Sequence, residues 1–260
     1  MSLRAEASLA GLAASQWGLF TAPQAQQRGA TRAQLTRLTQ AGVVERLSHG
    51  VYLIRGAGSD EFTELRAAWL HLDPTRSAAD RFDDGPAGAV ISHASAANLF
   101  GFGDLDADRH EFSLPVRKQT RRNDVILHRA SLPPSDVMIH GGLPATTPER
   151  TVVDLLTDGR DGEHIAGVLG GAVRARAIDV YALARRIGPF AARYGVPVGD
   201  GDWLLDLLLR LDGSFEVALA QLLARALRRT GTNFDTPLTR IDVGSLAEPF
   251  TRRRGVGGWT

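Results

Sequence analysis

Apolar residues at Ala5, Leu9, Leu12 and Ala13 recur at helical spacing and predict a first amphipathic helix that ends near Gly18. Leu19-Phe20 is a short extended stretch. Thr21 then has the chemistry of a helix cap, with Pro23 tolerated in the first turn, and a short helix runs to Arg28. Gly29 stops it, because glycine takes the left-handed conformation at little cost. Thr31 followed three residues on by Gln34 has the capping-box form, and the helix it opens runs to Ala41 and closes at Gly42. On that helix Leu35 and Leu38 share the face that packs inward, while Arg32, Thr36, Arg37 and Gln40 fall on the other faces. Two β-rich runs follow, Val43 to Leu47 and Val51 to Ile54, separated by Ser48-His49-Gly50, which predicts a hairpin. Helix, helix, tight turn, helix, hairpin is the order of a winged helix-turn-helix, here over residues 1–56.

Gly56-Ala57-Gly58-Ser59-Asp60 is small and polar, and it marks a boundary before a larger domain over residues 61–260. Phe62, Leu65, Ala68, Trp69 and Leu72 predict a helix that Pro74 ends, and the stretch from Ser77 to Gly88 reads as a loop. Val90-Ile91 leads into a helix from His93 to Phe100. Two β-like runs come next, Glu111 to Val116 and Val125 to His128, the second read as buried on both faces. Thr147-Pro148 opens a helix that carries Val152, Val153, Leu155 and Leu156 into the core. Further helices are expected near 163–173, 180–194, 202–211 and 215–229, and the Arg252-Arg253-Arg254 tail is expected to be loosely held. The fold class is therefore α+β: a winged helix-turn-helix, then a mixed domain to about residue 160, then a mostly helical region.

Composition narrows the function. With 43% hydrophobic and 23% charged residues the chain has the makeup of an ordinary folded domain rather than a disordered one. No run approaches the ~18 apolar residues of a membrane span, and the first residues lack the pattern of a signal peptide. The absence of cysteine removes disulfides, thiolate catalysis and thiolate zinc sites, and fits a cytoplasmic protein. Only Lys118 is a lysine, so arginine abundance by itself says little about function. Its distribution says more. Residues 1–56 hold six arginines against Glu6 and Glu45, a net +4 within a chain whose total is +1. No acidic residue falls between Gly29 and Val44. Arginine and glutamine suit bidentate contacts to guanine and adenine, whereas a carboxylate there would repel phosphate. Double-stranded DNA is the expected partner, contacted by Thr31, Arg32, Gln34, Thr36, Arg37 and Gln40 on the helix and by Arg46 and His49 on the wing. The basic connection Arg117-Lys118-Gln119-Thr120-Arg121-Arg122 is read as a hairpin tip, either a solvated loop or a second set of phosphate contacts through Arg117, Lys118, Arg121 and Arg122.

Tests for an enzyme fail. Asp104-Leu105-Asp106-Ala107-Asp108 lacks the glycine and the final glutamate of a calcium loop, and no Gly-Ser pair precedes it as a nucleotidyltransferase would need. Val116 stands where a nuclease of the D/E-x-K type places a carboxylate ahead of Lys118. His93 and Ser95 lie too close on one helix to form a nucleophile–base pair. No phosphate-binding glycine loop is present, and the seven histidines show no H-x3-H pairing that points to zinc. No catalytic residue, metal or cofactor is assigned. Two alternatives stay open: a nucleic-acid-processing enzyme targeted by its winged helix, and a winged-helix regulator that senses a small ligand.

Several short elements resemble one family. Gly18-Leu19-Phe20-Thr21, Gln24-Ala25, Gly29, Gly42 to Arg46 and His49-Gly50-Val51-Tyr52 resemble the N-terminal domain of AbiEi-type antitoxins. Ile91-Ser92-His93-Ala94-Ser95-Ala96-Ala97, with Gly101, looks like that family's I-S-H-x-S-A element, and Thr146 to Leu155 looks like its T-x-x-x-R-T-x-x-D-L element. The resemblance covers roughly residues 15–160. It implies a transcriptional autorepressor of a two-gene bacterial operon that also counteracts the other product, a nucleotidyltransferase toxin. Its own promoter, as an inverted repeat bound by a pair of chains, is then the expected DNA. The residues alone explain Ser92 as a helix cap, and Arg150 with Asp154 as a pair one helical turn apart.

Overall fold

In the computed structural model, which describes residues 3–106 and 108–230, the N-terminal pattern folds as its capping residues dictate. The arginine run at 252–254 lies outside the described residues. The order is α1 (Leu3–Ala14), β1 (Leu19–Thr21), α2 (Ala22–Gln27), α3 (Arg32–Gln40), β2 (Val44–Ser48) and β3 (Val51–Ile54). Thr21 with Gln24 and Thr31 with Gln34 both form complete capping boxes, so each short helix has its first free N–H groups satisfied. Gly29 and Gly42, with φ of 82° and 69°, turn the chain after α2 and α3 in a conformation that a side chain would oppose. The stretch at Leu19 becomes a strand because β1 pairs antiparallel with β3, giving a three-stranded sheet in the order β1-β3-β2. Leu9, Leu12, Phe20, Leu35 and Val44 meet in one core. Burying side chains such as Phe20 and Leu35 contributes roughly 1.5–3 kcal/mol each.

The next elements are α4 (Thr63–Leu72), α5 (Ala78–Phe82), β4 (Val90–Ile91), α6 (His93–Phe100), β5 (His110–Leu114), β6 (Val125–Arg129), β7 (Val137–His140) and β8 (Leu143–Thr146). The five strands form a mixed sheet in the order β6-β5-β4-β8-β7. Three expectations are corrected here. The segment from Ser77 holds a helix, because Ser77 and Asp80 make a third capping box and Ala78 and Arg81 are buried. β5 and β6 pair in parallel, from His110 against Val125 to Leu114 against Arg129, so the basic connection is a return crossover along the sheet and not a hairpin tip. β6 is an edge strand on which only Val125 is fully buried, since no strand covers its far side.

The remaining helices are α7 (Pro148–Thr157), α8 (Gly162–Arg174), α9 (Val180–Ile187), α10 (Gly201–Leu211) and α11 (Phe215–Thr230). Their core gathers Val152, Leu155, Leu156, Leu169, Leu204 and Leu208. The single helix expected over 180–194 breaks at Gly188-Pro189 into a 3-10 segment, Gly188–Tyr194. Proline supplies no N–H there, and a side chain at 188 would stand 2.6 Å from the Gly199 carbonyl oxygen.

By contact, the described residues fall into two compact units: those up to Ser95 with 108–146, and 96–106 with those from Thr147 onward. Within the first unit, polar bonds cross the 56–60 linker. Gln16 and Gln24 are 0% and 1% exposed. Gln16 Nε2 donates to Gln24 Oε1 (2.9 Å), Gln24 Nε2 donates to the Arg76 carbonyl (2.7 Å), and the Ala78 N–H donates to Gln16 Oε1 (2.9 Å). Thr21 Oγ1 donates to the Pro74 carbonyl. Trp69, in turn, meets Trp17 edge to face with ring centroids 6.2 Å apart.

Candidate nucleic-acid interface

Helix α3 buries Leu35 and leaves Arg32, Thr36, Arg37 and Gln40 exposed. Arg32, Thr36 and Gln40 are spaced one turn apart, so they form a row, with Arg37 beside it. Thr31 and Gln34 are engaged differently. Thr31 Oγ1 accepts from the Gln34 N–H (3.2 Å), and Gln34 Oε1 accepts from the Thr31 N–H (2.8 Å). Their side chains fix the helix start, and the free donors of the surface are the two arginines and Gln40. The positive end of the helix dipole lies at the same end as Arg32, which favours an anion there.

On the wing, Arg46 and His49 are both exposed. Arg46 Nη2 lies 3.1 Å from His49 Nδ1, and Arg46 Nε donates to the Ser48 carbonyl at 3.3 Å. A guanidinium can only donate, so His49 Nδ1 accepts in this arrangement. The strand bulge between Arg46 and Ser48 sets the loop's direction.

A histidine that the sequence reading passed over links this wing to the rest of the unit. His71 lies in the last turn of α4, the helix that packs against both strands of the wing. Burial holds its imidazole below the ordinary value, and repulsion from Arg122, His49 and Lys118 acts in the same direction. Lys118 Nζ also donates to the Leu72 carbonyl, at the end of the same helix. The wing loop, the end of α4 and the basic crossover therefore meet in one cationic neighbourhood. Within it Arg117 and Arg121 are exposed, whereas Arg122 is paired with Asp124 through two hydrogen bonds. No sequence spacing signals this meeting, because it depends on the parallel return of the crossover.

The other singled-out residues have surroundings of their own. Arg150 Nε donates to Asp154 Oδ1 at 2.7 Å, the turn-to-turn pair expected on α7. Glu149 Oε1 accepts from the Asp179 N–H at 2.8 Å and so fastens the start of α9 to α7. Ser92, His93 and Ser95 are buried, not displayed: Ser113 Oγ donates to Ser92 Oγ (2.9 Å), and Ser95 Oγ accepts from the Glu111 N–H (2.8 Å). Asp104 and Asp106 are exposed on the irregular stretch after α6. A cleft of about 430 Å³ lies between the end of α8, α9 and α11, and two of its arginines are neutralised by partners, Arg174 by Asp212 and Arg225 by Asp179. Among the described residues no helix is long and apolar enough to cross a membrane.

Two family models match the chain. Residues 9–55 match a transcriptional regulator model of the AbiEi antitoxin type. Residues 87–184 match the AbiEi antitoxin C-terminal domain. Comparison with curated proteins finds no match.

Proposed function

The chain is an AbiEi-type antitoxin and transcriptional regulator, and on that premise we propose that it represses its own operon by binding double-stranded DNA while antagonising a nucleotidyltransferase toxin encoded beside it. The observation that supports the DNA-binding part is the exposed face of α3 with Arg32, Arg37 and Gln40, beside a wing packed on α4, whose end Lys118 of the crossover reaches. The wing, the end of α4 and the crossover meet around His71, next to a recognition helix whose exposed face holds no acid.

In this reading α3 enters the major groove. Arg32 and Arg37 reach guanine edges and Gln40 reaches adenine, while Thr36 lies between them. Arg46, His49, Arg117, Lys118 and Arg121 contact phosphates, which adds affinity without choosing sequence. Arg122, already paired with Asp124, contributes least. Two chains on an inverted repeat place their helices in half-sites about one helical turn apart. DNA reading belongs to residues 1–56, and the antitoxin activity belongs to residues 61–260.

Growth and repression, scored separately in cells, test this division. The full chain is expressed from an unrelated promoter, beside a reporter driven by its own promoter and an inducible copy of the neighbouring gene. The Arg32→Ala, Arg37→Ala double variant is expected to release the reporter and still protect growth. Loss of protection together with repression, in a variant that remains folded, contradicts the division. Full repression by the variant contradicts the assignment of α3.

A further inference from the structure

The buried Ser92-His93-Ala94-Ser95 element has no part in the DNA surface, and its surroundings have a chemistry of their own. The start of α6 and the parallel pairing of β5 with β6 bring His93, Glu111 and His128 together. Their nitrogen and carboxylate ligand atoms all lie within 4.8 Å of one another. Glu111 is 2% and His93 4% exposed, and the His128 side chain is 19% exposed on the edge strand. We propose that these three residues form a binding site for one divalent transition-metal ion of the zinc class.

Two imidazoles and a carboxylate are a donor set that such ions favour, and three protein ligands leave a further position for solvent. At metal–ligand lengths of about 2.0–2.2 Å, tetrahedral donors stand roughly 3.4 Å apart, so the cluster is near the required spacing. His93 is oriented from behind. Its Nδ1 is 2.9 Å from Ser92 Oγ, which in turn is held by Ser113. In the tautomer that donates from Nδ1–H to that hydroxyl, Nε2 carries the lone pair a metal takes, the outer arrangement usual for metal-binding histidine. His93 also has a φ of 53°, a conformation of limited stability for a residue with a side chain, and it points the ring into this cluster.

Binding requires one rearrangement. The rings of His93 and His128 stack, with centroids 3.6 Å apart and planes 13° from parallel. Parallel rings cannot both aim a lone pair at one ion, so one must turn. His128 has the freedom, because its side chain is partly exposed on the edge strand, with β5 on one side only. Its Nε2 is 2.7 Å from Glu111 Oε2, a contact that holds a proton between them. The ion takes that proton's place. Bonds form from His93, Glu111 and His128 to the metal, and the displaced proton moves to Nδ1 of the His128 ring when that ring is neutral, or to solvent when it is an imidazolium.

The test uses untagged full-length protein stripped with a chelator. Zn2+ is titrated against a chromophoric competitor, and Co2+ is added separately for its visible spectrum. The expected result is one ion per chain and Co2+ bands of a low-coordinate nitrogen–oxygen site. Glu111→Gln and His128→Gln are expected to weaken binding at least about tenfold, and His164→Gln to leave it unchanged. Wild-type protein that takes up no ion, or variants that bind as well as wild type, overturn the site. Should either variant fail to fold, imidazole NMR of the wild type decides. Signals of His93 and His128 that shift with Zn2+ while His164 stays fixed support the site, and signals that do not move overturn it.

Discussion

At the scale of single residues, the surface is tuned by histidines whose protonation costs stability. Burial holds both His71 and His110 below the ordinary imidazole value; Arg122 pushes each further down, and Asp124 partly offsets this at His110. The folded protein therefore binds these protons less readily than the unfolded chain does. The stability from keeping the rings neutral is complete above the unfolded value of about 6.5, and it is lost as pH falls from there through the lower folded values. The carboxylates lowered from 3.8, Asp60, Asp80, Asp84, Asp124 and Asp179, titrate outside this window, while burial and Asp200 raise Asp202, whose effect is common to wild type and both histidine variants. Denaturant midpoints measured from pH 7.5 to 5 are expected to fall, and the fall should be shallower in His71→Gln and His110→Gln. An unchanged slope in both variants removes these histidines from the account. His49 was legible as a wing residue from Ser48-His49-Gly50. His71 was not, because its position in the helical pattern before Pro74 carries no sign of what packs against it.

At the scale of elements, the capped helices and the wing were legible because each carries its own local chemistry: a threonine with glutamine three residues on, a glycine at the stop, a turn between two β-rich runs. Ser77 to Gly88 was misread because its capping box closes with Asp80 instead of glutamate or glutamine, and the helix it opens is short. The β5–β6 pair was misread for another reason. Two short strands with a brief connection favour a hairpin, since parallel pairs ordinarily need a longer crossover. Only the tertiary pairing of His110 with Val125 reveals the return path. β7 and β8 escaped notice although Gly141-Gly142 marks their turn, since Met138 and Ile139 on β7 are both exposed and break the alternation. The crossover yields a prediction of its own. Replacing Arg117, Lys118, Arg121 and Arg122 with serine should lower affinity for every duplex alike and leave the preferred sequence intact. With Arg122 already paired, the slope of log affinity against log salt should fall by about 2–3, roughly 0.9 for each of three phosphate contacts. A slope that does not change returns the crossover to a solvated connection.

At the scale of the whole molecule, the first compact unit joins the helix-turn-helix to the segment beyond the flexible-looking linker. Gln16 and Gln24 are the fastening. Gln24→Ala removes the acceptor for the buried Thr21 N–H and the donor for the Arg76 carbonyl, which is only partly buried and so lies at the low end of the range that follows. Each buried group left without a partner costs about 1–3 kcal/mol, so the variant is expected to lose roughly 2–4 kcal/mol in a denaturation experiment. A loss within about 0.5 kcal/mol, the range of ordinary surface changes, contradicts the fastening.

The central claim is that α3 reads DNA sequence, and the most direct measurement is the affinity of wild type, Arg32→Ala and Arg37→Ala for the chain's own promoter and for a scrambled duplex at several salt concentrations. Both side chains are exposed, so their removal should leave the fold intact. The account predicts that each variant loses about 1–3 kcal/mol on the promoter and much less on the scrambled duplex, so that the preference between them shrinks. Equal affinity of wild type for both duplexes, or promoter binding unchanged in both variants, contradicts it.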